Sequence, residues 1–281
     1  MRWISFERAG RASYGVVVGN GIVDVGARRP NDRTLKDLLA SGDLEKAGAE
    51  AAKQKADHAL ADVKYLPVIT NPDKILCVGI NYKAHQEETG RDPTSHPTIF
   101  VRFAAAQIGH DQPMIRPEES DRLDFEGEIA LVIGKRGRRI PEAKALDYVA
   151  GFSCYNDGSV RDYQRHTTQF TPGKNFTGTG GFGPWLMTKD ECGNLGAMEL
   201  TTRLNGEVMQ NATASLLIFG FEDIIAYCST FTDLVPGDVI VTGTPGGVGA
   251  ARNPPLFMKA GDVIEVEVKP IGVLRNRVVV G

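Results

Sequence analysis

One segment constrains the fold of this chain more than any other: an apolar run that follows directly on two acidic residues. Residues 123–134 read Leu-Asp-Phe-Glu-Gly-Glu-Ile-Ala-Leu-Val-Ile-Gly, and the run at 129–133 is typical of a strand buried on both faces. Residues two apart on a strand point to the same face, so Glu126 and Glu128 project together. Buried like charges are costly unless a cation neutralises them. The segment therefore predicts either a metal site or an edge strand with two solvated glutamates.

Oxygen ligands indicate which metal such a site would prefer. Carboxylates suit hard cations, so Mg²⁺ or Mn²⁺ is predicted, with Ca²⁺ as a further possibility, rather than Zn²⁺. Asp157 ends a second apolar segment, residues 148–157, and is the predicted third ligand. Three carboxylates leave coordination positions open for water and substrate.

Composition excludes several classes of protein. The 281 residues carry a net charge of −3, with no basic stripe for nucleic acid. The apolar runs are about half of the roughly 20 residues that a membrane span needs, and the first residues lack the layout of a secretory signal. The four cysteines form no Cys-x-x-Cys pair and are predicted to be reduced and mostly buried. We therefore expect a cytoplasmic protein without nucleic-acid or membrane partners.

The order of the elements predicts a mixed β fold with few helices (α+β). A hairpin around Gly19-Asn20-Gly21 and two short helices after Thr34 and Asp43 indicate a small N-terminal α+β domain, residues 1–70. The main domain is predicted to cover residues 71–281. Its predicted strands lie at 74–79, 98–102, 125–134, 148–156, 200–204, 208–210, 239–242, 263–268 and 273–280, and its predicted helices at 141–146 and 221–231. Too few helices alternate with strands for a doubly wound sheet or a β/α barrel.

A histidine and a glutamate form a candidate general base. His85 and Glu88 lie three residues apart on a predicted helix, where they are neighbours on one face. A carboxylate that holds an imidazole orients it and raises its basicity, which suits it for activating water. The alternative is a surface pair with no catalytic role.

Two glycine-rich stretches contain further candidates for substrate binding. Lys174 lies in residues 171–184, where it either holds an anion or oxyanion or is a solvated lysine of a flexible loop. Residues 242–249 lack the spacing of a nucleotide-binding loop, but their N–H groups and the Thr244 hydroxyl are suited to a carboxylate. Arg102 and Gln164 are further polar candidates, and Arg161 is either one of these or a structural ion pair with Asp162.

Taken together, and in this order, several segments resemble the fumarylacetoacetate hydrolase family. They cover residues 74 to 281 and consist of Gly-Ile-Asn-Tyr at 79–82 with the His-x-x-Glu pair, Asp-Phe-Glu-Gly-Glu at 124–128, Asn-Asp-x-Ser-x-Arg-Asp at 156–162, Gly-Lys-Asn-Phe at 173–176, Asn-Gly at 205–206, and the Pro-Gly-Asp and Thr-Gly-Thr-Pro-Gly-Gly-Val-Gly motifs within 236–249. The short-chain branch, similar to acylpyruvate hydrolases and hydroxymuconate isomerases, fits best.

The resemblance implies a mixed β-roll core, usually a homodimer, and a divalent metal held by Glu126, Glu128 and Asp157. It implies that His85 and Glu88 lie on a lid over the substrate, and it maps the family's lysine and glutamine to Lys174 and Gln164. Many members have a lysine where this chain has Arg102, whose fork suits bidentate binding of a carboxylate.

The function that this resemblance implies is metal-dependent hydrolysis of a C–C bond in acylpyruvates, or 2,4-diketo acids. His85 would take a proton from water, and Lys174 would stabilise the oxyanion or protonate the departing enolate. Decarboxylation of oxaloacetate-like acids and isomerisation of 2-hydroxymuconate-type diacids are the alternatives. A non-catalytic binding protein is disfavoured, because the chain retains the acidic trio, His85, Glu88 and Lys174.

Overall fold

The computed structural model describes all 281 residues, most of its regular structure being strands. In chain order the strands are β1 (Arg2–Arg8), β2 (Arg11–Val18), β3 (Gly21–Asp24), β4 (His58–Ala59), β5 (Lys64–Tyr65), β6 (Ile75–Gly79), β7 (Thr98–Arg102), β8 (Gln107–Ile108), β9 (Met114–Arg116), β10 (Leu123–Asp124), β11 (Gly127–Ile133), β12 (Val149–Asp157), β13 (Ser159–Val160), β14 (Gly180–Thr188), β15 (Glu199–Leu204), β16 (Glu207–Thr213), β17 (Val239–Val241), β18 (Val263–Lys269) and β19 (Gly272–Val280). The α-helices are α1 (Leu35–Ser41), α2 (Leu44–Ala51), α3 (Lys83–Thr89), α4 (Arg161–Gln164), α5 (Thr171–Lys174) and α6 (Phe221–Phe231).

A mixed sheet of 12 strands forms the centre of the molecule, and β11 lies well inside it. Its order is β4-β3-β2-β1-β14-β12-β11-β17-β6-β7, with β5 paired to β1 and β8 to β14. Along β11, Ile129, Leu131 and Ile133 enter one hydrophobic core, and Ala130 and Val132 enter the other. The predicted burial on both faces is confirmed, and so is the mixed β fold with few helices.

The two faces of this sheet are covered by different elements. A sheet of five strands, in the order β16-β15-β18-β19-β9, contributes to the first core together with α6. Helices α1 and α2 contribute to the second core. The central strands are thereby shielded from water on both sides, and groups at their ends lie at the edge of a dry interior.

Helix boundaries agree with the sequence where a capping signal is strong. Thr34 and Asp37 form a reciprocal capping box at the start of α1, as the Thr34 prediction requires. Asp43 makes no side-chain cap bond, and α2 runs from Leu44 to Ala51. The predicted helix at 221–231 is confirmed as α6, whereas the one at 141–146 is a 3-10 helix over Glu142–Tyr148.

The glycine-rich stretch 171–184 is not a flexible loop, which was one of the two alternatives for it. It begins with α5 and ends inside β14, a strand that pairs with both β12 and β1. Its glycines allow close packing: a Cβ on Gly181 would lie 2.9 Å from Oδ1 of Asn276, and one on Gly180 would lie 2.3 Å from Oε1 of Gln107, so either side chain would have to shift. Glycine therefore marks tight contact here rather than mobility.

The N-terminal residues extend the main sheet. Strand β1 pairs with β14, and Trp3 belongs to the same core as Cys77 and Val241. The boundary near residue 70 stays a prediction. All four cysteines are buried and free, as predicted. None of the helices has the length and apolar character that crossing a membrane requires.

Candidate metal centre and active site

Three carboxylates meet where β11 begins and β12 ends. The antiparallel register places Gly127 opposite Asn156, and the N–H of Asp157 donates to the carbonyl of Glu126 at 2.8 Å. Glu126, Glu128 and Asp157 each offer one oxygen within 4.8 Å of the others. All three residues are buried, with at most 5% of their surface exposed. The predicted trio is therefore brought together by strand pairing across about thirty residues of chain.

Three cations lie against this acidic cluster. Lys174 Nζ lies 2.6 Å from both Glu126 Oε2 and Asp157 Oδ2. Arg161 joins Glu126 Oε1 at 2.6 Å to Asp124 Oδ2 at 2.8 Å. Arg102 pairs with Oδ1 of Asp157. Each buried carboxylate except Glu128 has at least one cationic partner.

Because the cations are unevenly distributed, the pKa values of the buried carboxyls are shifted in different directions. Burial opposes ionisation of Glu126, but Arg161 and Lys174 outweigh it and lower the pKa of that carboxyl below its usual value. Burial, with Asp157 and Glu126 close by, raises the pKa of Glu128 well above its usual value. Its one hydrogen-bond donor is the N–H of Gly243. The site thus has four carboxylates and only three cations, and Glu128 is the carboxylate that has no cation beside it.

These residues fit a divalent cation. The donor set is oxygen only, as Mg²⁺ and Mn²⁺ prefer. Of the four buried carboxylates of this site, Asp124 is held by Arg161 and backbone N–H groups, which leaves the predicted trio. Glu128, which no side-chain cation reaches, is the member that most requires positive charge.

His85 and Glu88 form a hydrogen-bonded pair that faces the same cavity. Nδ1 of His85 lies 2.7 Å from Oε1 of Glu88, and His85 is 5% exposed. Oε2 of Glu88 accepts from the N–H of Gly247 at 2.9 Å. With Nδ1 committed to Glu88, the Nε2 of His85 is the nitrogen available to carry a proton.

The second glycine-rich loop, residues 242–250, binds carboxylates, but they belong to the protein itself. Its N–H groups donate to Glu128 from Gly243, to Glu88 from Gly247, and to Asp124 from Gly249 and Ala250. The hydroxyl of Thr244 donates to the carbonyl of Gly127 and accepts from Gln210. Thr244 lines the cavity, but its only proton is already used, and this geometry disfavours the predicted contact between that hydroxyl and a substrate carboxylate.

Arg102 lies behind Asp157 and is not among the residues that line the cavity. Its guanidinium is completely buried and donates to Asp157, to the carbonyl of Gly158 and to Thr179. Arg102 therefore holds a carboxylate of the protein, and this geometry disfavours the expected contact between Arg102 and a substrate.

Gln164 and Arg161 lie together on the cavity wall. Arg161 Nη1 donates to Oε1 of Gln164 at 2.9 Å, and both residues line the cavity. Arg161 does not pair with Asp162, which instead accepts from Ser120. Nη2 of Arg161 is buried and has no hydrogen-bond partner in the chain. The orphaned nitrogen is suited to an anion in the cavity.

Asp124 is a further residue of the site, beyond those predicted from the sequence. Asp124 is fully buried and anchors both Arg161 and the loop. The signal was present, because Asp124, Glu126 and Glu128 alternate along the chain and alternation places side chains on one face.

A cavity of about 520 Å³ connects these groups. Its lining includes Glu126, Glu128, His85, Glu88 and Lys174. Two candidate metal ligands, a candidate base and fixed cations therefore border one space large enough for a small organic acid.

Comparison with known proteins finds related sequences and related structures. The family model for the C-terminal domain of fumarylacetoacetate hydrolase matches residues 74–279. A mitochondrial oxaloacetate tautomerase of Bos taurus is 39% identical over 266 residues, which cover 93% of this chain and 85% of the relative.

Solved structures resemble the whole chain. A putative HpcE protein from Mycobacterium smegmatis has a TM-score of 0.89 at 34% identity, with both chains covered completely. The maleylpyruvate hydrolase of Sphingobium sp. SYK-6, solved with manganese(II) and pyruvate, has a TM-score of 0.84 at 27% identity, again with complete coverage of both chains.

Proposed function

The chain belongs to the fumarylacetoacetate hydrolase family, and from this premise we propose that it is a divalent-metal-dependent enzyme for keto–enol tautomerisation of an oxaloacetate-type 2-oxo acid. The observation that carries the proposal is the His85–Glu88 pair, which borders the same cavity as Glu126 and Glu128 of the acidic trio. The similarity to oxaloacetate tautomerases over 93% of the chain supports the choice of reaction.

Glu126, Glu128 and Asp157 hold the metal in this proposal, with Mg²⁺ or Mn²⁺ as the ion. The manganese in the maleylpyruvate hydrolase neighbour supports a divalent ion. When bound, the ion supplies positive charge to the oxygens of the 2-oxo acid group, which makes the adjacent C–H more acidic.

His85 moves the proton. Tautomerisation transfers a proton between C3 and the 2-oxygen, and neutral His85 takes it from C3 through Nε2. Glu88 accepts the Nδ1–H and stabilises the imidazolium that forms. The proton is then delivered to the oxygen, either by His85 or through water.

Lys174 and Arg161 supply fixed charge. Burial opposes the charged form of Lys174, but Asp157 and Glu126 outweigh it and raise the pKa of its amine. A lysine that holds its proton this firmly suits stabilisation of developing negative charge on oxygen rather than proton donation. The unpaired Nη2 of Arg161, with Gln164 beside it, suits the C1 carboxylate.

Hydrolysis of acylpyruvates is the second candidate. It is favoured by the neighbouring maleylpyruvate hydrolase, whose structure contains pyruvate, and by a cavity larger than a four-carbon acid fills. In that reaction His85 takes its proton from water, and the hydroxide attacks the distal carbonyl.

The two candidates are separated by their products. With oxaloacetate enol and Mg²⁺, a tautomerase speeds the loss of the enol absorbance without releasing pyruvate, and chelator abolishes the acceleration. With acetylpyruvate in H₂¹⁸O, a hydrolase releases pyruvate and places ¹⁸O in the acetate. Pyruvate release from oxaloacetate would indicate decarboxylation instead. Absence of any metal-dependent rate on these acids would refute both candidates.

A homodimer in the cytoplasm remains a prediction that accompanies this function. Sedimentation of the purified protein would test the first part, because a dimer has twice the 30.4 kDa of one chain.

A further inference from the structure

The cavity has two arginines whose charge nothing in the chain neutralises. Arg91 and Arg165 both line it, and both are exposed. Arg161 and Lys174 on the same wall are tied to Glu126, but neither Arg91 nor Arg165 takes part in an ion pair or side-chain hydrogen bond. Their positive charge is therefore available to a ligand.

An aromatic wall connects Arg91 with the acidic cluster. Lys174 Nζ lies 4.9 Å from the centre of the Phe100 ring. Phe100 contacts Phe170 edge-on, with 5.7 Å between ring centres, and the Arg91 guanidinium lies 5.5 Å from the centre of Phe170. The wall thus has a fixed cation at each end and two aromatic rings between them.

The end of α3 fixes Arg91 relative to the catalytic pair. Gly90 adopts a left-handed conformation with φ of 62°, its N–H donates to Glu87, and the N–H of Arg91 donates to Gln86. This geometry is the usual way to close a helix. Arg91 is consequently carried on the same short element as His85 and Glu88.

We propose that Arg91 is a specificity-determining residue that binds a second carboxylate of the substrate, so that the site prefers dicarboxylic to monocarboxylic 2-oxo acids. This inference rests on the proposed function, because it takes the first carboxylate and the oxo group to lie at the acidic cluster. The carbon chain then lies along Phe100 and Phe170, and the far carboxylate meets the Arg91 guanidinium, with Arg165 as a second cation nearby. The planar guanidinium of an arginine can donate two parallel hydrogen bonds to a carboxylate, which suits it to this role.

A structural role for Arg91 predicts a different result. If the Arg91 guanidinium only packed on Phe170, it would hold that ring in place. Removing the guanidinium would then lower the affinity for all ligands equally. Only a direct contact with a second carboxylate changes the ratio between ligands that differ in that group.

Calorimetry with a matched pair of stable acids tests the proposal. 2-Oxoglutarate and 2-oxopentanoate have the same length and the same oxo acid end, and they differ in a terminal carboxylate against a methyl. On the Mg²⁺-loaded protein we expect 2-oxoglutarate to bind at least about tenfold more tightly, the usual scale for a charge-assisted hydrogen bond. Arg91→Gln should bring that ratio close to one and leave 2-oxopentanoate unchanged, and Arg91→Lys should restore part of it.

Lys83→Gln is the matched control, since Lys83 is an exposed cation of the same helix that does not line the cavity. It should leave the ratio at the wild-type value. The proposal is overturned if Arg91→Gln weakens both acids equally, or if the wild type shows no preference. If neither acid binds the metal-loaded protein, the proposed function fails as well, and that outcome is distinct from loss of the preference alone.

Discussion

Charge pairing gives each buried carboxylate of this site a different task. Asp124, Glu126 and Asp157 each have a cation within 3 Å, but Glu128 has only the N–H of Gly243. In a dry interior an unpaired carboxylate is better protonated than charged. Glu128 therefore couples the stability of the metal-free protein to pH, and it is the residue that gains most from a bound dication.

Glu128→Gln tests this coupling in the presence of chelator. Because the folded-state pKa of Glu128 is raised above its ordinary value of 4.5, its stabilising contribution is complete below that value and is lost as pH rises through the folded-state pKa. Between these two pKa values the folded wild type binds one proton more than the unfolded chain. Its free energy of unfolding therefore falls by about 1.4 kcal/mol for each unit that the pH rises. The free energy of unfolding of the variant, relative to wild type, should therefore increase from pH 5 to pH 8. Urea titrations at several pH values measure it.

The metal provides the control for that experiment. Mg²⁺ should raise the stability of the wild type much more than that of Glu128→Gln. A constant stability difference across the pH range would show that Glu128 is already ionised in the metal-free protein and would contradict the assignment.

His85→Ala should lower kcat by at least about a hundredfold, the usual worth of a general base. Metal affinity should stay near wild type, because His85 is not one of the three ligands. Steady-state kinetics and a Mn²⁺ titration measure the two effects. His58→Ala, which changes a histidine outside this cavity, should leave kcat unchanged. Parallel loss of metal binding in His85→Ala would instead indicate a structural role.

The sequence predicted the meeting of the three carboxylates better than it predicted the cations that pair with them. Glu126 and Glu128 could be paired because the two-residue period of a strand is a local property. Arg102 could not be placed, because its contact with Asp157 depends on how α5, β7 and β12 pack. A polar residue near a site is equally compatible with touching a substrate or with holding a ligand of the metal, and only the packing decides.

At the scale of elements, the loop of residues 242–250 connects the acidic trio with the His85–Glu88 pair. It donates to Glu128 through Gly243 and to Glu88 through Gly247. Both glycines have φ of 103°, and a Cβ on Gly247 would lie 2.2 Å from the carbonyl oxygen of Met209. The positive φ and the close approach both require glycine.

Gly247→Ala should therefore displace the N–H that holds Glu88. We expect kcat to fall about tenfold or more, since small misplacements of a catalytic group are costly, with a smaller effect on metal affinity because Gly243 still holds Glu128. Gly261→Ala is the matched control: Gly261 has φ of 94° with nothing near its Cβ position. It should lower the melting temperature without changing kcat. An equal loss of kcat in both variants would contradict the anchoring role.

Elements that depend on long-range pairing were the hardest to predict. Strand β11 was evident from its apolar run, and α6 from its helical period. Strand β14 was not, because its first half is glycine-rich and glycine disfavours strands unless a neighbour packs closely. That neighbour includes Asn276, nearly one hundred residues further along the chain, so no local pattern could reveal it.

At the scale of the whole molecule, the cavity lies at the end of strands whose cores do not depend on a metal. Both hydrophobic cores are formed by side chains of the two sheets and their covering helices. The acidic cluster is held by Arg102, Arg161 and Lys174. A metal at this site is thus expected to serve catalysis and to contribute only its own binding energy to stability.

Chelation tests this expectation. EDTA should abolish activity reversibly, while the protein keeps one cooperative unfolding transition. A ligand present at one hundred times its Kd stabilises by about 2.7 kcal/mol, which for a chain of this size corresponds to a shift in melting temperature of roughly 5 °C. Lys174→Met removes the cation shared by Glu126 and Asp157, so the metal-free variant should be less stable, and Mg²⁺ should raise its melting temperature by more than in the wild type. If the wild type loses its cooperative transition in EDTA, the three cations do not suffice to hold the carboxylates together, and the metal is part of the fold.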